Sequence, residues 1–349
     1  MERTEIEQLG EFGLIRRLTQ EIKHQQSSTL LGVGDDAAVI DSGDKRVVIS
    51  TDMLVEGVHF DMSYAPLKHL GYKAVSVNLS DICAMNAIPT QITVSLAVSS
   101  RFSVEALDEL YAGIHKACEV YGVDLVGGDT SSSLSGLMIS VTAVGLVAAD
   151  QAVTRSGAKP GDLLVVSGDL GSAYMGLQVL EREKEVFKSA PMAQPDLTDH
   201  QELLERQLKP EARTDIIREL GDLKLKPTSM IDVSDGLASE AFHLCAASGC
   251  GVRIYEDKLP INPHAYETAR AFNLDPTLCM LSGGEDYELL FTIDQSEFEK
   301  VRNLPKLSII GHMVEDTSEK TLVTKNGVEA PLKAQGWDGI KKSNEEESN

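Results

Sequence analysis

The chain is predicted to fold as a two-domain α+β or mixed α/β protein, and three observations carry that prediction. Its 349 residues exceed what one ordinary hydrophobic core organises. Short β-branched runs alternate with helical stripes, yet several strands follow one another directly, which argues against a barrel of repeated βα units. A turn-rich stretch, 154–162, interrupts the pattern near the middle. The expected division is 1–150, then 151–340, then a polar disordered tail from Lys341 to Asn349.

Taken in order, Arg46 to Ser50 reads as a short buried strand that delivers Thr51 and Asp52 at its carboxyl end. Pro66 to Ala87 reads as a helix, on which Asn78 and Asp81 are three apart and share a face. Ile92 to Val98 is a second strand. Ser103 caps a helix running to about Tyr121, with Val104, Leu107, Leu110, Ile114, Ala117 and Val120 on one stripe and Gly122 as its stop. Val123 to Val126 leads into Gly127-Gly128-Asp129, and Leu137 to Val147 is a long strand closing the first half. Beyond the boundary, Leu163 to Ser167 is a strand and Gly171 to Glu183 a helix. Phe187 to His200 carries two prolines and no period, and is expected as a surface loop. Met230 to Val233 is a strand bearing Asp232. Asp235 to Ser248 is a helix with Gly249 beyond its end. Leu278 to Met280 runs into a turn at 282–284, and Leu289 to Ile293 is again strand-like.

Composition narrows the function. The 54 Asp and Glu against 32 Lys and Arg give a formal charge of −22, which repels nucleic acid and anionic membranes. The five cysteines are odd in number and contain no Cys-x-x-Cys pair, so they support neither a zinc ribbon nor a disulfide framework. No apolar run approaches membrane-spanning length and the start lacks a signal peptide's pattern, so a reducing cytoplasmic setting is expected.

Five segments place carboxylates beside Gly, Ser or Thr: 34–36, 50–52, 79–81, 127–130 and 232–236. Converging carboxylates need cations between them, and hard oxygen donors with small neighbours suit Mg²⁺, usually completed by substrate phosphates. Singly, each has a plainer reading. Gly34-Asp35-Asp36 is equally an ordinary turn, and Asp235 is equally a helix cap. Asp81 lies in an otherwise apolar helical stretch, where a carboxylate requires a cation or hydrogen-bond donors. Arg155, in the one basic glycine-bearing loop, is either a bidentate phosphate contact or an exposed linker residue. His59 reads first as a packed loop histidine. Trp337 is either an edge anchor or a flat wall for an aromatic or cationic ligand. The chain has neither a P-loop nor the protein-kinase motif set.

Together the segments 32–38, 50–60, 77–87, 127–130, 154–162, 231–237 and 282–289 resemble the thiamine-monophosphate kinases, in order and from about Glu11 to Asp338. Single pieces are shared with aminoimidazole ribonucleotide and selenophosphate synthetases. The resemblance implies an N-terminal α/β domain whose sheet pairs across a homodimer, followed by an α+β domain. It implies ATP-dependent phosphorylation of thiamine monophosphate to thiamine diphosphate, the last step of that biosynthesis, with several Mg²⁺ ions. Position by position, Asp36, Ser50, Thr51, Asp52, Asp81, Asp129, Asp232 and Asp235 would hold metal. Tyr111, Gly128, Arg155 and Ser234 would contact ATP, and His59, Glu285 and Trp337 would line the thiamine phosphate pocket. A phosphate monoester is largely ionised at neutral pH, so no side chain is needed as general base. The superfamily's cysteine-dependent activities are disfavoured, because no cysteine precedes Cys83 or follows Cys279.

Overall fold

Strict alternation along 137–148 makes a strand with one face against helices and the other half-open, and this strand centres the first sheet. In the computed structural model, which describes residues 10–20, 25–190 and 197–334, the first half runs as follows. Its elements are α1 (Gly10–Thr19), β1 (Thr29–Leu31), β2 (Ala38–Asp41), β3 (Lys45–Val55), α2 (Leu67–Ala84), β4 (Ile88–Val98), α3 (Val104–Tyr121), β5 (Asp124–Ser132) and β6 (Leu137–Ala148). The six strands are ordered β1-β2-β3-β6-β4-β5, parallel only between β4 and β5.

The second half contains β7 (Leu163–Ser167), α4 (Ser172–Ser189), α5 (Gln201–Leu208), α6 (Thr214–Asp222), β8 (Ser229–Asp232), α7 (Leu237–Ser248) and β9 (Gly251–Tyr255). It continues with α8 (Pro263–Ala271), α9 (Pro276–Ser282), β10 (Leu289–Ile293), α10 (Phe298–Val301), β11 (Leu307–Val314), β12 (Lys320–Val323) and β13 (Glu329–Pro331). Its seven strands are ordered β13-β12-β9-β11-β7-β10-β8, with β9 and β12 the parallel pair. The architecture is mixed α/β, with one sheet in each half.

Helix α2 is buried on nearly every face because it lies in the seam between the sheets. Ala74, Leu79, Ile82 and Cys83 join one apolar core with Ile92 and Val141 of the first sheet and Met230 and Phe291 of the second. Helix α3 crosses α2 so closely that a Cβ on Gly71 would stand 2.0 Å from the Leu110 carbonyl oxygen. Its start is capped by Ser103, whose hydroxyl accepts from the Ala106 N–H, and Gly122 ends it in the left-handed conformation.

Several expected boundaries are corrected. Strand β3 extends to Val55, so Thr51 and Asp52 lie inside it rather than at its carboxyl end. The full-length pairing with β6, from Lys45↔Ala148 to Val55↔Met138, overrides the polar residues that seemed to end the run. The run expected over 123–126 continues through Gly127-Gly128-Asp129 to Ser132 as β5, carried by its parallel ladder with β4. Strand β4 begins four residues early and accommodates Pro89 at a register shift. Leu278 to Met280 belongs to α9, capped by Asp275 with Pro276 at its first position. Part of the expected 187–200 loop is helical, since α4 runs to Ser189 and a 3₁₀ turn spans Thr198–His200. Helix α7 starts at Leu237, because Gly236 takes a φ of 113° and breaks it from Asp235. The expected tail lies outside the described residues.

Candidate active site

Successive residues on α2 point about 100° apart, and this lets one turn serve both sheets. Asp81 faces β3, where the Ser50 hydroxyl donates to its Oδ2 at 2.5 Å. Ser80 faces the second sheet and donates to Asp232 Oδ2, at the end of β8, at 2.6 Å. Asn78 faces β3 too, accepting the Asp52 N–H at 2.9 Å. The loop before β2 adds Asp36. As a result, Asp36, Asp81 and Asp232 each offer an oxygen within 4.8 Å of the others.

Three carboxylates so placed in a buried seam repel one another. Burial, then the charges of Asp52, Asp232 and Asp36, push the Asp81 carboxyl well above its ordinary range. Burial chiefly, with Asp36 next, pushes Asp232 up to about 7. Burial also raises Asp36, against the pull of Arg155. Asp35, raised to about 6 mainly by burial, accepts the backbone N–H of Arg155 at 3.1 and 3.2 Å. Arg155 itself grips Asp36 through Nε at 3.2 Å and Nη2 at 2.7 Å. A site of this kind, all hard oxygen donors with raised carboxyls, suits a small divalent cation, whose charge would remove the like-charge penalty.

The expected metal residues are therefore distributed unevenly. Asp36, Asp81 and Asp232 form the cluster, Ser50 is bonded to one member, and the Asp52 charge bears on two. Thr51 points to the other face of β3, where its hydroxyl donates to the Val141 carbonyl at 3.1 Å and accepts from Thr142 at 3.1 Å. Asp129 is exposed on the edge strand β5, three strands from β3 in the sheet, or about 14 Å at the usual spacing. Asp235 lies just beyond Asp232, and its N–H donates to Glu240 Oε1 at 3.0 Å.

The expected nucleotide residues are spread as well. Gly128 pairs with Val94 on β4, where a Cβ would stand 1.9 Å from the Val94 carbonyl oxygen. Its lack of a side chain is thus required by the ladder. Tyr111 lies on α3 with its ring 5.9 Å from that of His115. The Ser234 carbonyl accepts the Glu285 N–H at 2.6 Å, joining two motif loops.

At the pocket expected for the second substrate, Val55 N–H donates to His59 Nδ1 at 3.0 Å. Burial first, then opposed charges on Glu285 and Lys73, leave the His59 ring below its ordinary pKa. Glu285 takes a left-handed φ of 57°, as does Tyr287 at 51°. Trp337 lies outside the described residues.

Three residues at this site escaped the sequence reading. Glu240 is a buried carboxylate pushed well above its usual range by burial and by Asp235 and Asp232. Lys73 is a buried lysine whose Nζ lies 2.9 Å from Glu285. Gln207 donates to the other Glu285 oxygen. The available signal for Lys73 was a charge inside the apolar stretch 70–85. Gln207 carried none.

Comparison with known proteins agrees with this architecture. The model of the AIR synthase related protein N-terminal domain matches residues 34–147, and that of the corresponding C-terminal domain matches 159–324. The chain is 34% identical over 343 residues to thiamine-monophosphate kinase of Bacillus subtilis, covering 95% of this chain and 100% of that one. It is 35% identical over 319 residues to thiamine-monophosphate kinase of Aquifex aeolicus, covering 89% and 97%. The solved structure of AaThiL complexed with AMPPCP and TMP superposes with a TM-score of 0.81 at 32% identity, covering 97% of this chain and 99% of that one.

Proposed function

This chain belongs to the thiamine-monophosphate kinase family and is a kinase, and from that premise we propose that it transfers the terminal phosphoryl group of ATP to thiamine monophosphate. The carrying observation is the carboxylate cluster of Asp36, Asp81 and Asp232, with Arg155 paired to Asp36 and with the charges of Glu285, Lys73 and Asp52 bearing on His59. Two polyanions must meet in this reaction. Mg²⁺ ions bound at the cluster would supply the charge that lets them approach and would orient their oxygens for in-line transfer.

The residues divide the remaining work. Asp36, Asp81 and Asp232 hold metal, with Ser50 fixing the Asp81 carboxylate. Asp52 and Thr51 would extend the set toward β3, and Asp129 and Asp235 would hold further ions. Arg155 exchanges Asp36 for a phosphate when ATP binds. Gly128, Tyr111 and Ser234 bound the nucleotide. His59, Glu285 and Trp337 bound thiamine monophosphate, and Glu285 accepts from the pyrimidine amino group. Phosphoryl transfer is direct, because the acceptor oxygen is already ionised and needs no base.

The chain acts as a homodimer in this reading. Support comes from the half-open face of the first sheet, where Met53 and Met138 are exposed beside Ser140, Thr142 and Val144. The same reading assigns the first sheet to 1–150 and the second to 151–340, and places the enzyme in the cytoplasm. Among the described residues no helix is long and apolar enough to cross a membrane.

A coupled assay with ATP, Mg²⁺ and thiamine monophosphate, detecting thiamine diphosphate by fluorescence after oxidation, tests the function. Product that requires all three components is expected. Folded, ATP-binding protein that makes none would overturn it.

A further inference from the structure

The ion pair between Lys73 and Glu285 joins the two halves of the molecule, and both charges bear on His59. Lys73 comes from α2, and its side chain is 5% exposed, against 30% for Glu285. Its Nζ contacts Glu285 Oε1 at 2.9 Å and donates to the Gln207 carbonyl at 3.1 Å. Gln207, on α5, donates its Nε2 to Glu285 Oε2, and its buried Oε1 has no hydrogen-bond partner among the described residues. A carboxylate cannot donate, so the amide must turn its nitrogen to Glu285 and leave its oxygen unpaired. Glu285 in turn holds a left-handed backbone that a residue with a side chain adopts only under constraint. Backbone strain and an orphaned acceptor meeting on one carboxylate mark a group whose position is over-determined by its surroundings.

We propose that Lys73 is a positioning residue that, with Gln207, fixes the Glu285 carboxylate at the mouth of the pocket and so sets selectivity for the second substrate. The proposal rests on the reading of that pocket as the thiamine monophosphate site. The cation facing Glu285 also makes the wall a near-neutral hydrogen-bond acceptor rather than a bare negative charge. The pocket then selects a ligand by its N–H donor, such as the amino group of an aminopyrimidine, more than by the ligand's positive charge. Lys73 acts on the substrate only through Glu285.

The test is steady-state kinetics on five full-length proteins: wild type, Lys73→Met, Lys73→Arg, Glu285→Gln and Lys73→Met/Glu285→Gln. Lys73→Met is expected to raise the KM for thiamine monophosphate about tenfold or more while the KM for ATP stays within about twofold, and Lys73→Arg to recover most of the loss. In the Glu285→Gln background, adding Lys73→Met is expected to change nothing further, because the two residues act as one unit. That pair of variants carries the test even where Lys73→Met alone fails to fold, since the double variant leaves no unpaired charge. An unchanged KM in Lys73→Met, equal losses toward both substrates, or a further loss in the double variant would overturn the proposal. Wild-type turnover separates the two readings: absent turnover defeats the assigned reaction, whereas normal turnover with any of those variant results defeats only the role of Lys73.

Discussion

Arg155 and Asp36 form a two-point ion pair, Nε and Nη2 on the two carboxylate oxygens, with Asp36 buried and Arg155 mostly so. Sequence reading assigned the two to different ligands, Arg155 to phosphate and Asp36 to metal. Their pairing means that a guanidinium neutralises part of the acidic cluster before any ion arrives. Under the proposed roles, metal binding at Asp36 and phosphate binding at Arg155 would each require this pair to open.

Replacing Arg155 by Ala tests this exchange. The metal-free protein is expected to lose about 1–3 kcal/mol of stability, less than a rigid buried pair because Asp36 takes up a proton instead. Added Mg²⁺ should restore most of the loss in thermal denaturation. The KM for ATP should rise while that for thiamine monophosphate holds. Metal-free stability equal to wild type would mean the pair contributes nothing.

Asp81→Asn should lower kcat by about a thousandfold, equivalent to ~4 kcal/mol of barrier, with the fold intact. Asn removes one of three mutually repelling carboxyls, so the metal-free Tm should stay level or rise. Full activity would remove Asp81 from the metal site.

The pH dependence has a definite sign. Asp232 is raised from 3.8 to about 7 and Asp35 to about 6, so between pH 4 and 7 the folded metal-free protein binds more protons than the unfolded chain. Their contribution is present below pH 4 and is lost as the pH rises through 6 to 7. In EDTA the Tm should fall by roughly 2 °C or more between pH 5 and 8, and with Mg²⁺ this fall should vanish or reverse. Identical profiles with and without Mg²⁺ would count against metal binding at the cluster.

Gly128→Ala puts a Cβ 1.9 Å from the Val94 carbonyl oxygen, so β5 must shift. A loss of about 1–3 kcal/mol is expected in urea unfolding, alongside any change in ATP binding. Unaltered stability would show that the strand adjusts freely and that this glycine serves the ligand alone.

Trp337→Ala should raise the KM for thiamine monophosphate more than that for ATP. Unchanged values for both would end the stacking role.

The sequence by itself determined the elements whose period is local. The helix between Ser103 and Gly122, with Leu110, Ile114 and Ala117 buried, and the long strand from Leu137 appear as expected, whereas Val104 and Val120 at the ends of the expected stripe are exposed. It also determined the chemistry of the motifs, since Gly, Ser and Asp at those spacings restrict the ligand class whatever the fold. Strand ends were less legible, because β3 and β5 are extended by ladders with distant partners rather than by their own polar residues. Only the tertiary structure decided which carboxylates meet. Asp36, Asp81 and Asp232 are separated by up to 196 positions in the chain yet converge because α2 is wedged between two sheets. The pleat decided that Ser50 faces Asp81 while its neighbour Thr51 faces away, a one-residue parity that composition cannot express. Lys73 and Gln207 belong to the same category. Neither carries a motif, and each acquires its part only where packing brings α2 and α5 onto one strained glutamate.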